Sequence, residues 1–119
     1  MTATVEELRL VRAERTLHVT FDDGRRFALP AEYLRVESPS AEVLGHSPTQ
    51  KVTVPGKAQV GITRLEPVGN YAVRIVFDDG HDTGIYSWDY LRELGEEFDT
   101  RWRAYLAALD AKGLARAPQ

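Results

Sequence analysis

A stretch of this chain occurs twice. Residues 17–24 are LHVTFDDG and residues 73–80 are VRIVFDDG, and each copy continues through a short extended stretch into Tyr-Leu-Arg, at 33–35 and 90–92. The second copy has one additional residue between these two motifs. Because a solenoid needs about three repeats for stability, we interpret the copies as two related β-hairpin–helix units within one domain over residues 1–119.

The first copy has the pattern of a β-hairpin. Apolar and polar residues alternate over 17–22, which is typical of a half-buried strand. Asp-Gly at 23–24 predicts a type I′ turn, in which both central residues have positive φ. Residues 25–29 then form the partner strand. The second hairpin is predicted to have its turn at 79–80 and its strands at 71–77 and 81–86.

The remaining elements follow from capping and periodicity. Pro30 suits the first turn of a short helix over 31–36, and Ser87 suits the N-cap of a helix over 88–94 that Gly95 ends. Further strands are predicted at 52–54 and 59–68, and residues 1–7 and 114–119 are expected to be flexible tails. Apolar residues at helical spacing predict an amphipathic helix over 96–112: Phe98, Trp102, Tyr105, Leu106 and Leu109.

This order of elements predicts the fold class. Strands, a short helix, more strands and C-terminal helices are typical of a small, single α+β domain with a mainly antiparallel sheet. The apolar fraction of 43% and the charged fraction of 28% agree with a globular protein.

Composition excludes several classes of function. The chain has no cysteine, so it has no disulfide, no thiolate nucleophile and no cysteine-bound metal. The net charge is −3 without a basic stripe, which argues against a nucleic-acid partner. The longest apolar run covers 104–109, far short of the roughly 20 residues that cross a membrane. Without an export signal, we expect a cytoplasmic protein.

Residues 78–82, Asp-Asp-Gly-His-Asp, are the densest polar cluster in the sequence. One interpretation is a hairpin turn with solvated charges, because the twin turn has Arg25 where this turn has His81. His81→Arg would then leave stability nearly unchanged. The other interpretation is a ligand or metal position on His81. Trp88 follows close behind and either packs in the core or borders a binding surface.

No catalytic constellation is evident. Neither His46 nor His81 is followed two residues later by a carboxylate, the usual spacing of the iron ligands in non-haem oxygenases. His18 is predicted on the solvent face of its strand. No Gly-x-Ser-x-Gly elbow, Walker loop or Gly-x-Gly-x-x-Gly motif occurs. We therefore do not expect an enzyme.

Two segments resemble a known family. Residues 29–40 (LPAEYLRVESPS) and 79–91 (DGHDTGIYSWDYL) are similar to the gamma-butyrobetaine hydroxylase N-terminal-like domain, whose small bacterial members are the DUF971 proteins. The resemblance covers roughly residues 8–109. Such domains occur alone, ahead of a 2-oxoglutarate-dependent oxygenase domain, or appended to P-loop proteins of iron–sulfur assembly.

The hydroxylase form of this family resembles a zinc module. A Leu-Arg stretch precedes Cys-x-Cys-x-x-Cys, and a histidine follows a distant hairpin turn. Aligned from residues 34–35, the four ligand positions fall on Ser38, Ser40, Val43 and His81. A serine hydroxyl binds zinc poorly and valine does not bind it. The resemblance therefore implies that the structural zinc is lost, that no cofactor replaces it, and that the oxygenase domain is absent.

The resemblance also implies a function. We expect a non-catalytic accessory domain that binds a protein partner, with an oxygenase or an iron–sulfur assembly protein as first candidates and a homodimer as another. The predicted partner surface comprises Asp79, His81, Asp82 and Trp88. The alternative is a metal-binding protein in which His81 acts with Asp79 or Asp82. A small enzyme is a third alternative, for which the sequence offers no constellation.

Overall fold

The computed structural model describes residues 3–40, 43 and 52–117. The described elements alternate between antiparallel strands and helices. In chain order they are β1 (Val5–Val11), a 3-10 turn (Arg12–Glu14), β2 (Thr16–Phe21), β3 (Arg26–Pro30), α1 (Ala31–Val36), β4 (Ile62–Val68), β5 (Ala72–Phe77), β6 (Ile85–Ser87), α2 (Trp88–Glu96) and α3 (Phe98–Ala111). The prediction of an α+β domain is confirmed.

The repeat predicted from the sequence is confirmed, and each copy also includes a strand ahead of its hairpin, of which the one in the first copy, β1, was not predicted. The described strands form two three-stranded antiparallel sheets, in the orders β1-β2-β3 and β4-β5-β6, rather than one sheet. Each sheet is followed by its helix, α1 or α2. The pairing shifts register at the same place in both copies, between Val5 and Glu7 and between Ile62 and Arg64. The duplicated unit is therefore a three-stranded meander plus a helix.

Tyrosines of the repeated Tyr-Leu-Arg motif join the two units reciprocally. The Tyr33 hydroxyl on α1 donates to the Leu94 carbonyl near the end of α2 at 2.7 Å. The Tyr90 hydroxyl on α2 donates to the Glu37 carbonyl just after α1 at 2.5 Å. Each tyrosine thus caps the end of the other unit's helix, as expected for two copies related by an approximate two-fold axis.

The arginines of the same motif also form reciprocal contacts between the two units. Arg35 on α1 binds Asp79 in the second hairpin turn at 2.9 Å, and Arg92 on α2 binds Asp23 in the first hairpin turn at 2.8 Å. Each helix is therefore joined to the hairpin of the other unit by one ion pair and to the helix end of the other unit by one hydroxyl–carbonyl bond.

One hydrophobic core lies between the two units. It is built from the inward faces of β2 and β5, with the apolar sides of the helices packed against them; its members include Leu17, Val19, Phe21, Val73, Ile75, Phe77, Leu34, Leu91 and Leu94. Most of the predicted apolar stripe of α3 packs on the same body, with Phe98 and Trp102 against Tyr33, but Leu106 is exposed. Tyr105 and Leu109 form a smaller cluster with Val36.

Helix capping follows the sequence predictions closely. Helix α1 spans the predicted residues, but Pro30 lies just before its first turn, at the N-cap, with extended backbone. The Ser87 side chain accepts a hydrogen bond from the Tyr90 backbone N–H at 3.1 Å, so the predicted N-cap is confirmed. Gly95 does not end α2, which continues to Glu96. Helix α3 lies within the predicted range.

The hairpin turns differ from the predicted type. Gly24 and Gly80 have φ of +88° and +92°, but Arg15 is the only described non-glycine residue with positive φ, so Asp23 and Asp79 do not have it. Each glycine N–H donates to the carbonyl of the phenylalanine that ends the preceding strand, at 3.0 and 3.3 Å. This is the pattern of a type I turn followed by a left-handed glycine, not of a type I′ turn.

The predicted tails are partly wrong. Residues 5–7 belong to β1, which pairs with β2 from Val5 to Val11. The strand was missed because charged residues interrupt its apolar pattern, VEELRLV. Near the C terminus, the carbonyls of Ala115 and Arg116 accept backbone hydrogen bonds from Gly56 and Ala58 at 2.8 and 3.0 Å. Residues 1–2 and 118–119 lie outside the described part.

Three predicted strand boundaries also change. Residues 52–54 are not a strand but lie beside α3, where the Tyr105 hydroxyl donates to the Val54 carbonyl at 2.6 Å. The strand predicted over 59–68 begins at Ile62, and the one predicted over 81–86 is Ile85–Ser87. Residues 81–84 precede this strand, although the carbonyls of His81 and Gly84 still accept backbone hydrogen bonds from Phe77 and Ile75 of β5 at 3.0 and 3.3 Å.

Candidate functional site

His81 lies in a buried junction between the second hairpin and the chain that follows α1. Only 6% of the residue is exposed. Its backbone carbonyl accepts from Phe77, and its backbone N–H donates to the Asp79 carboxylate at 3.1 Å. Its ring Nε2 lies 2.9 Å from the Ser38 Oγ. The interpretation of His81 as a solvated turn residue is therefore wrong.

Hydroxyl groups extend this contact into a network. The Ser38 Oγ also accepts from the Ser40 backbone N–H at 3.3 Å, and the Ser40 Oγ lies 2.8 Å from the Thr83 Oγ1. Val43 is 1% exposed, and its N–H donates to the Ser40 carbonyl at 3.0 Å. We call these five residues the His81 junction. It brings together the four positions that the family resemblance aligned with metal ligands: Ser38, Ser40, Val43 and His81.

A glycine allows the two segments to approach. A Cβ atom added to Gly84 would lie 2.5 Å from the Ser38 Oγ and 3.1 Å from the Tyr86 ring. The Tyr86 hydroxyl, which is buried, in turn donates to the Leu34 carbonyl of α1. The absence of a side chain at 84 therefore sets how closely the second hairpin packs on the end of α1.

Asp79 is held by cations rather than by the His81 ring. Its Oδ2 lies 2.9 Å from Arg35 Nε and 2.7 Å from Lys57 Nζ. Burial opposes ionisation of Asp79, but hydrogen bonds from Lys57, the His81 backbone and Arg35 outweigh it and lower its pKa to about 2. Within the described part of the chain, no three His, Asp or Glu side chains are grouped as a metal site.

The four residues predicted as a partner surface do not share one surface. His81 is buried beyond the end of β5, whereas Trp88 lies at the start of β5, where Ser87 pairs with Ala72. The Trp88 Nε1 donates to the Asn70 carbonyl at 2.7 Å. Asp82 is half-buried, and its carbonyl accepts from Arg74 at 3.3 Å. Trp88 therefore belongs to a different feature of the molecule.

That feature is an apolar cleft between β1 and β4, which we call the edge cleft. Its volume is about 370 Å³. Its apolar wall consists of Val5, Leu8, Leu65, Pro67, Val73 and Trp88, and Glu6 and Glu7 also line it. Both β1 and β4 are edge strands of the described sheets. Sequence reasoning missed the cleft because it missed β1; only Trp88 indicated it.

The other histidines lie apart from these features. His18 lies on the open face of the first sheet, as predicted, with its side chain 32% exposed and its Nε2 3.6 Å from a Glu14 carboxylate oxygen. His46 lies outside the described residues.

Most of the chain matches one known protein family. Residues 8–92 match the family model described as gamma-butyrobetaine hydroxylase-like, N-terminal. The chain belongs to this family. The resemblance first drawn from residues 29–40 and 79–91 is thereby confirmed.

Solved structures of similar proteins agree with this family. One structure determined by NMR in solution is 43% identical, with a TM-score of 0.87, and the alignment covers 100% of this chain and 94% of the other. A second NMR structure is 50% identical, with a TM-score of 0.85 and coverage of 98% and 87%.

A crystal structure extends the comparison to a family member of unknown function. This DUF971 protein from Acidithiobacillus ferrooxidans is 38% identical, with a TM-score of 0.64, over 77% of this chain and 92% of the other. No curated protein matches the chain. Among the described residues, no helix has both the length and the apolar character needed to span a membrane.

Proposed function

We propose that this protein is a non-catalytic, cytoplasmic accessory domain that binds an extended segment of a partner protein in the edge cleft. The observation that carries the proposal is the cleft itself. Apolar side chains of Leu8, Leu65 and Trp88, which pack on the core, also line an open groove between two edge strands. Contiguous apolar surface of this kind marks interaction sites in soluble proteins.

The two strand edges differ in how much of their backbone is available. On β4, Pro67 has no N–H, and the Thr63 carbonyl accepts a hydrogen bond from the Arg12 guanidinium at 2.8 Å. These features leave β4 poorly suited to pairing with another strand. β1 contains no proline. A partner segment therefore adds to the edge of β1, with its side chains in the cleft, as in other complexes formed by strand addition.

Charge at the cleft indicates what the segment contains. Glu6 and Glu7 are exposed and lie on the cleft. An apolar segment flanked by Lys or Arg complements this surface, and such charges increase the rate and the specificity of association. By analogy with the proteins in which this domain family occurs, an oxygenase or an iron–sulfur assembly protein is the partner class to test first.

Site-specific crosslinking tests this proposal. A photoreactive residue at Leu65 should capture the partner in lysate of the native organism, whereas the same residue at Ile85, exposed on β6 outside the cleft, should not. The captured protein is then purified and titrated. Leu8→Arg and Glu6→Lys should weaken binding, and Ile85→Arg should leave it unchanged.

The Glu6→Lys variant keeps the test decisive if Leu8→Arg fails to fold, because Glu6 is exposed. Equal capture from both positions, or unchanged affinity of the Glu6→Lys variant, contradicts docking in the edge cleft. Capture of a second copy of this chain would assign the cleft to a homodimer instead.

We further propose that the protein needs no metal to fold. The His81 junction supports this, because hydrogen bonds among Ser38, Ser40, His81 and Thr83 join the segments that a metal would otherwise hold. Thermal unfolding should therefore be the same with and without EDTA. A fall of more than a few degrees in EDTA, or one equivalent of bound metal by elemental analysis, contradicts the proposal.

A further inference from the structure

The open face of the first sheet carries a shallow polar depression far from the His81 junction. Cross-strand partners share a face, so Arg9, His18 and Ala28 form one row, and Glu7, Thr20 and Arg26 form the next. All six residues line a depression of about 470 Å³.

The two arginines in this depression are not neutralised. Arg9 and Arg26 are exposed, and neither side chain forms an ion pair or a hydrogen bond with any residue in the described part of the chain. Between the two arginines lies the His18 ring, whose Nε2 is shielded from solvent and has no hydrogen-bond partner among the described residues. The face therefore carries two unpaired guanidinium groups and the carboxylate of Glu7, and a Glu14 carboxylate oxygen lies 3.6 Å from the His18 Nε2 at its border.

The second sheet provides an internal comparison, because three of the same positions of the repeat are occupied there by residues that bond to one another. Arg64, Glu66 and Arg74 take the places of Glu7, Arg9 and His18. Glu66 accepts hydrogen bonds from Arg64 at 2.7 Å and from Arg74 at 2.8 and 2.5 Å. Hydrogen bonds from Arg64 and Arg74 lower the pKa of Glu66.

We propose that the open face of the first sheet binds a small phosphate-bearing molecule between Arg9 and Arg26. A guanidinium presents a planar set of donors that matches phosphate oxygens, and hydrogen bonds between charged groups are the strong ones. The Thr20 hydroxyl lies between the arginines on the same face and supplies a further donor. Glu7 accepts from a hydroxyl group, so a hydroxylated phosphomonoester fits better than a polyanion.

The site is separate from the proposed partner interaction. The depression and the edge cleft lie on opposite faces of β1 and share only Glu7, which lines both. Phosphate binding and partner binding can therefore be lost separately, provided that Glu7 is left unchanged in the variants.

Titration followed by amide NMR shifts tests the site. Inorganic phosphate and glycerol 3-phosphate are added at constant pH and ionic strength, with chloride as the reference anion. Saturable shifts are expected at Arg9, His18, Thr20 and Arg26, with tighter binding of glycerol 3-phosphate. Arg9→Gln combined with Arg26→Gln should lower the affinity about tenfold or more.

The matched control removes two arginine charges from the open face of the second sheet, where both arginines are paired with Glu66. Arg64→Gln combined with Arg74→Gln should leave the phosphate affinity unchanged. If chloride reproduces the shifts, if phosphate gives no saturable shifts, or if both double variants lose affinity equally, the proposal is wrong. Tighter binding of inorganic phosphate than of glycerol 3-phosphate would exclude the role assigned to Glu7 and, with it, the phosphomonoester.

Discussion

Each hairpin meets the end of the other unit's helix at a junction. The first junction is filled by the Phe27 ring, and the second contains the Ser38 hydroxyl and the His81 imidazole. Ser38 and Gly95 occupy the same place after Tyr33 and Tyr90. A Cβ atom at Gly95 would lie 2.5 Å from the Phe27 ring. The Arg92 guanidinium stacks over this ring, at 5.9 Å from its centre.

The two junctions share their backbone contacts, so the difference lies in their side chains. A junction filled by a ring tolerates small changes, because apolar contacts have no required partner. A buried polar junction is stabilising only while every group is satisfied, and removing one partner leaves another group unpaired at a cost of about 1–3 kcal/mol. The His81 junction is therefore expected to be the more sensitive of the two.

The largest expected effect on stability comes from exchanging His81 and Arg25, which occupy the same position in the two hairpins. His81→Arg should destabilise the protein by about 3 kcal/mol, because it places a charge where a buried ring now bonds to Ser38. Arg25→His should change stability by no more than about 0.5 kcal/mol, because Arg25 is exposed. Urea unfolding measures both. If both variants change stability by similarly small amounts, His81 is exposed to solvent and the prediction is wrong.

The second prediction compares the glycines at the two junctions. Gly84→Ala should cost about 2 kcal/mol, since the new methyl group meets the Ser38 hydroxyl and the Tyr86 ring. Gly95→Ala meets Phe27, but Gly95 lies within α2, where alanine recovers about 1 kcal/mol of helix propensity. Its net cost should be about 1 kcal/mol. If thermal unfolding ranks Gly95→Ala as the more damaging change, the aromatic junction is the tighter one.

The third prediction concerns the reciprocal tyrosines. Tyr33→Phe and Tyr90→Phe should each destabilise the protein by about 1 kcal/mol, because each removes one hydroxyl–carbonyl bond between the units. Tyr33 should show the larger loss, since it is fully buried whereas Tyr90 is half-buried. If the two bonds act separately, the free energy of unfolding lost in the double variant should equal the sum of the two single losses. A silent Tyr33→Phe variant would contradict the reciprocal capping.

The smallest effect is expected from acid. The folded-state pKa of Asp79, about 2, lies below the ordinary value of 3.8 for an aspartate, so the unfolded chain binds the proton first as pH falls. Its stabilising contribution is complete above about pH 4 and is lost towards pH 2. After solvent screening it amounts to about 1 kcal/mol or less. Asp79→Asn should flatten this part of the stability curve.

Asp23 offers the paired control for this titration. A hydrogen bond from Arg92, followed by one from the Arg25 backbone, lowers its pKa to about 2 as well. Asp23→Asn should flatten the curve in the same direction but less, because the Asp23 side chain is 49% exposed and that of Asp79 is 17% exposed. A larger change for Asp23→Asn would mean that the ion pair of Asp23 contributes more to stability than that of Asp79.

Local features of the fold could be predicted, because they depend on neighbouring residues. The bounds of α1 and the Ser87 cap follow from turn and capping chemistry, and the repeat follows from direct comparison of residues 17–24 with 73–80. β1 could not be found in this way. Its charged residues face away from the core, and its pairing with β2 identifies it only in three dimensions.

The state of His81 could not be derived from its hairpin alone. Comparison with Arg25 indicated exposure, but the residues that cover His81 lie far away in sequence, in the chain after α1. The family resemblance contained the missing information, because it aligned Ser38 and His81 as members of one site. Gly84 is the other sequence feature that fits close packing at this place.

The reciprocal capping by Tyr33 and Tyr90 has a consequence for how the chain is made. During synthesis, the first meander and α1 leave the ribosome well before Leu94 exists, so the Tyr33 hydroxyl has no carbonyl to bind. The last bonds of the first unit therefore form only after the second unit has been translated. Neither half can complete its hydrogen bonds without the other, so the finished structure requires both units of the chain.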